Sequence, residues 1–121
     1  MGRQKTFANY NPEFSGKLPK SVSITGKTFL VNNWRAVLLE TCAFVHAKKP
    51  AEFHRILNLR GNRRPWFSRK PSDLRSPVRI EGTDIYAEVN SNANALVLRC
   101  FQVLRHFGFE LSLNIELVDQ R

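Results

Sequence analysis

Apolar residues recur along this chain with two different periods, and the switches between them mark out its elements. Residues 21–31 read Ser-Val-Ser-Ile-Thr-Gly-Lys-Thr-Phe-Leu-Val. β-branched and aromatic residues flank a Gly-Lys pair, which predicts a two-residue hairpin with Gly26 at the positive-φ position. Trp34, Val37, Leu38, Cys42 and Val45 then fit a 3.6-residue period. They predict a helix over about 34–47, capped by Asn33 and closed by Lys48 and Lys49 at its negative end. Pro50 suits the first turn of a second, short helix through Leu57, with Phe53, Ile56 and Leu57 as its apolar points.

Between Arg60 and Arg75 no period is sustained, and Gly61, Pro65 and Pro71 punctuate the stretch. It predicts an irregular loop with a short strand at Trp66 and Phe67. Val78 to Ile80 and Ile85 to Val89 bracket Glu81-Gly82-Thr83-Asp84 and predict a second hairpin, with Tyr86 and Glu88 on the face opposite Ile85, Ala87 and Val89. The strongest helical stripe follows: Leu96, Val97, Cys100, Phe101, Leu104 and Phe107, closed by Gly108. Alternation from Leu111 to Leu117 predicts a half-buried last strand. The expected fold is a single α+β domain in the order β-β-α-α-β-β-α-β, its antiparallel hairpins packed on two main helices. Residues 1–20, poorer in apolar side chains and bearing Arg3, Lys5, Lys17 and Lys20, are expected to form a flexible basic arm ahead of the domain at 21–121.

Charge changes this picture more than composition does. Residues 48–79 hold ten of the nineteen Lys and Arg residues and two of the ten acids, so most of the net charge of +9 lies in one segment. Lys48, Lys49, Arg55, Arg60, Arg63, Arg64, Arg69, Lys70, Arg75 and Arg79 face only Glu52 and Asp73. Such a concentration repels itself unless a polyanion relieves it, and nucleic acid is the leading partner. The predominance of Arg suits it, because the planar guanidinium forks phosphate oxygens or stacks on a base. A solvated basic face, or one that meets an acidic protein such as a larger defence enzyme, is the competing reading.

Candidate binding residues extend past the cations. Trp66, between Arg64 and Arg69, either stacks on bases or anchors the loop to the core while the arginines fan outward. Asn92 and Asn94 sit in a run of capping residues. They either add side-chain bonds to bases or sugar where the exposed amides of a helix start attract phosphate, or simply cap the helix.

Catalytic chemistry is sparse. Glu81, Asp84 and Glu88 are the close acid cluster, and with His54 or His106 as base they are what a nuclease would have to use. No catalytic residue is assigned. Cys42 with His46 and Cys100 with His106 make a nominal zinc set, but residues six apart on a helix point nearly opposite ways. The cysteines read as buried thiols of a reducing, cytoplasmic setting, with no cofactor or metal expected. No secretory signal and no membrane-spanning stretch is recognised.

The stretch from Leu74-Arg75-Ser76-Pro77 through Ile85-Tyr86-Ala87-Glu88-Val89-Asn90-Ser91-Asn92-Ala93-Asn94, with the long helix after it, resembles a small accessory domain of bacterial restriction and DNA-modification associated proteins. The likeness extends from the Gly16–Lys27 region to the last strand. It implies a prokaryotic or phage origin, a DNA-defence setting and DNA ahead of RNA, and it carries no catalytic motif across. Where that pattern has Ser-Ala-Asn, this chain has Asn92-Ala93-Asn94.

Overall fold

A computed structural model describes residues 14–61 and 63–118. The first hairpin joins β1 (Pro19–Ile24) to β2 (Lys27–Leu30), with Ile24 opposite Lys27. Its two central residues are Thr25 and Gly26, at φ of 45° and 93°. Positive φ at both is what a tight turn matched to strand twist requires. The turn therefore lies one residue earlier than the expected Gly-Lys pair, with Thr25 taking the strained place. At the other side of β1 runs β6 (Leu113–Leu117), giving an antiparallel sheet in the order β2-β1-β6.

Helices α1 (Trp34–Lys48) and α2 (Ala93–His106) pack on each other, and α1 packs on β1. Both start on asparagine caps. Asn33 Oδ1 accepts from the Ala36 amide at 2.7 Å and Asn92 Oδ1 from the Ala95 amide at 2.8 Å, each satisfying an otherwise orphaned donor. Helix α2 ends as its sequence predicts. Gly108 adopts φ of 78°, its amide donates to Arg105 O, and the Phe109 amide donates back to Leu104 O. Val22, Ile24, Val37, Leu38, Val45, Leu96, Leu104 and Leu113 fill the space between helices and sheet and are buried.

The second helix differs in kind from the expectation. Pro50–Asn58 is a 3₁₀ helix of nine residues. Phe53, Ile56 and Leu59 recur every third residue, and i, i+3 side chains eclipse on a 3₁₀ helix, so this winding turns all three to the core. Beyond it lies a second, smaller antiparallel sheet in the order β3-β5-β4, made of β3 (Phe67–Ser68), β4 (Pro77–Arg79) and β5 (Tyr86–Glu88). Phe67, Ile80, Ile85, Ala87 and Val89 bury its inner face.

The molecule is one α+β domain, with both sheets antiparallel and the element order close to that expected. Of the expected basic arm, residues 1–13 lie outside the described residues, whereas residues 14–20 belong to the fold. Phe14 is buried with its ring centre 5.1 Å from that of Trp34, whose Nε1 donates to Lys17 O at 2.7 Å.

Candidate nucleic-acid interface

Strands of two and three residues cannot satisfy the backbone around them by pairing alone, so side chains complete the small sheet. Glu88, expected on an open face, is buried at 8% exposure. Its Oε1 accepts from the Arg75 amide at 2.6 Å, and its Oε2 from the amides of Ser76 at 2.8 Å and Asn90 at 3.1 Å. Burial by itself would raise its pKa. The three amide bonds, helped by the positive charge of Arg99, outweigh that and hold the carboxyl below its ordinary value. The carboxylate thereby ties the segment entering β4 to the segment leaving β5.

Arg99 is the member of this cluster that the sequence reading passed over. It stands on α2 at 7% exposure, with its guanidinium carbon 4.4 Å from the centre of the Trp66 ring and Nη1 3.4 Å from Glu88 O. Burial lowers its pKa, opposed by Cys100 and Glu88. Trp66 is half-buried beneath it, and the Trp66 carbonyl accepts from the Glu88 amide at 2.8 Å. A methyl group on Gly61 would come within 2.9 Å of Trp66 Nε1, so only glycine lets the chain pass the indole this closely. Trp66 is thus an anchor, one face covered by Arg99 and its edge by Gly61.

From that anchor the basic loop projects. Arg60 and Pro65 form a β-bridge and the Gly61 amide donates to Arg64 O at 3.0 Å, so Arg63 and Arg64 stand exposed at the tip of a tight hairpin. The side chains of Arg60, Arg63, Arg64, Lys70 and Arg75 are exposed and make no hydrogen bond or ion pair with other described residues. The remaining cations are engaged. Lys49 Nζ donates to Phe107 O at 2.9 Å and Arg55 Nη2 to His106 O at 3.1 Å, both carbonyls at the negative end of α2. Arg55 also pairs with Glu52 at 2.9 Å, Arg69 with Asp84 at 3.0 Å, and Arg79 Nη1 donates to Thr83 O at 3.1 Å. Lys48 Nζ lies 5.7 Å from the centre of the Phe44 ring.

Strand direction sorts these groups in space. β3 and β4 both run antiparallel to β5, with Phe67 and Val78 each opposite Ala87. Arg60, Arg63, Arg64 and Arg75 therefore gather where β5 leads into α2, and Arg69, Lys70 and Arg79 gather at the opposite end. At ~3.3 Å per residue, those ends stand roughly 10 Å apart, about three nucleotide steps of a DNA strand.

Both asparagines have a structural role at the start of α2. Asn92 is the α2 cap, and Asn94 is buried with Nδ2 donating to Ser15 Oγ at 3.2 Å. The acid cluster is dispersed, with Asp84 on Arg69 and Glu88 on backbone amides. His106 donates from Nε2 to Arg55 O at 2.9 Å. Burial pushes the Cys100 thiol up to about 12 and the Cys42 thiol well above its usual value, which disfavours the thiolates a metal would need. Among the described residues no group of three or more His, Cys, Asp or Glu could hold a metal ion, and no helix is long and apolar enough to cross a membrane.

The chain matches no protein family, no curated protein and no solved structure.

Proposed function

We propose that this domain is a nucleic-acid-binding module without catalytic activity, gripping phosphates through Arg60, Arg63, Arg64, Lys70 and Arg75. The observation that carries this reading is the exposure of five cations with no anionic partner among the described residues, around a sheet anchored by the buried Glu88 and Arg99, whose guanidinium reaches the Glu88 carbonyl. Unpaired like charges around one small sheet raise its potential, and a polyanion relieves their repulsion. Phosphate contacts are the main term, because Trp66 is occupied as an anchor. The resemblance of residues 74–94 to an accessory domain of restriction and DNA-modification associated proteins favours DNA as the polymer and a prokaryotic defence setting.

A salt titration tests it. Neutralising ~5 phosphates gives a slope of log Kobs against log salt near −4 to −5 on duplex DNA, a fall of several hundred-fold between about 50 and 200 mM. Absence of binding to duplex and single-stranded DNA at about 50 mM salt would remove this reading and turn the same cations toward an acidic protein partner. Incubation of DNA and RNA with the protein and a divalent metal checks the non-catalytic part, with intact substrate the expected result.

A further inference from the structure

One face of the β2-β1-β6 sheet lies against α1 and carries the buried Val22, Ile24, Leu113 and Ile115. Residues directly opposite each other share a face and neighbours along a strand alternate, so Ser21, Leu30 and Glu116 stand together on the other one. Val118 follows Glu116 by two residues, and its amide donates to Leu18 O at 2.9 Å, which adds this pair to the same face. Between Pro19 and Ser21 the register shifts at a bulge, and Lys20 Nζ reaches Glu116 Oε2 at 3.8 Å from the same side. Among the described residues the large apolar side chains left exposed are Leu18, Leu30 and Val118, at 53%, 83% and 40%. All three therefore meet at one end of one sheet face. Its charged groups, Lys20 and Glu116, cancel in a chain of net charge +9.

We infer that two copies of this chain pair through this face, sheet on sheet, about a two-fold axis running between β1 and β6. Charge complementarity names the occupant. A two-fold interface uses the same patch on both partners, so the patch must complement itself. Turned about that axis, Lys20 of each copy comes opposite Glu116 of the other, and Leu18 comes opposite Val118. Leu30 then covers the edge of the other copy's β6. The basic segment at 48–79 would repel a second copy, whereas this neutral face lets two copies meet while their exposed apolar groups leave water. Three strands at ~4.8 Å and five residues at ~3.3 Å make a face of roughly 14 by 17 Å. That is small against the ~800 Å² per partner of a standard interface, so the pair is transient. The inference stands apart from the nucleic-acid reading. Beside it, pairing joins two basic surfaces in one particle and strengthens their combined grip on one polyanion.

Sedimentation equilibrium on the full chain, freed of nucleic acid, tests this. Over about 5 to 500 μM wild type should pass from monomer toward dimer. Leu18→Asp, at an exposed position, should raise the dissociation constant ~10-fold or more with the melting temperature little changed. Lys20→Glu and Glu116→Lys should each shift the equilibrium to monomer, because each sets like charges opposite one another across the axis. An equimolar mixture of these two variants should regain the dimer, since the acids of one copy then face the lysines of the other. A Lys20–Glu116 bridge that served only its own chain would give no such recovery. Wild type that stays monomeric throughout would overturn the inference, as would a dimer that Leu18→Asp leaves unchanged or a mixture no more associated than its components.

Discussion

Between Lys49 and Arg55 each cation ends on a carbonyl at the tail of α2, whereas between Arg60 and Arg75 the cations other than Arg69 end in solvent. The two stretches are neighbours in sequence and alike in composition, yet charge serves the fold in one and is left over in the other. The first lies where two helices finish, and their unpaired carbonyls attract donors. The second lies on a sheet where Glu88 is already engaged by backbone amides, Asp73 by the Ser68 hydroxyl and Asp84 by Arg69, so its other cations end on no anion. A high local charge therefore marks a binding surface only where the protein's own acceptors are used up.

The largest effect is expected from the cluster on which the second stretch rests. Glu88→Ala would leave the amides of Arg75, Ser76 and Asn90 without their charged acceptor and remove a negative charge near Arg99, costing ~3 to 5 kcal/mol in urea unfolding. The same group gives a pH dependence. Its folded pKa lies below its ordinary value of 4.5, so its contribution is complete above that value and fades as pH falls through the folded pKa. Wild type should lose stability on acidification through this window, and Glu88→Gln should flatten that part of the curve. Next in size is Gly61→Ala, whose methyl group would meet Trp66 Nε1 at 2.9 Å. It should cost ~1 to 3 kcal/mol and shift the tryptophan emission as the indole is displaced.

Much of this arrangement was legible in the sequence. The stripe from Leu96 to Phe107, its asparagine cap and its Gly108 terminus all hold, because long periodic segments and local capping chemistry need no tertiary context. Arg99 was legible in part: it falls three residues after Leu96 and four before Val103, inside the apolar stripe, where a cation signals a buried partner. Glu88 was not, since alternation in a three-residue strand says nothing of amides arriving from Arg75 and Ser76, thirteen and twelve residues away. The 3₁₀ winding of 50–58 hid behind a spacing of three that a short α-helix also tolerates. The charge of segment 48–79 was plain, but its division into engaged and free cations depends on where the end of α2 comes to rest. Sequence spacing does not encode that.

The comparison sharpens most with paired double variants, one from each stretch, followed by thermal unfolding and by DNA binding across about 50 to 200 mM salt. Lys49→Ala with Arg55→Ala should cost ~1 to 2 kcal/mol of stability, through lost bonds to the α2 carbonyls, and leave the salt slope as it was. Arg63→Ala with Arg64→Ala should change stability by less than about 0.5 kcal/mol, weaken binding to every sequence alike and flatten the slope by ~2. The reverse pattern, with the salt slope carried by Lys49 and Arg55 and unmoved by Arg63 and Arg64, would contradict the division of the basic segment on which the proposed interface stands.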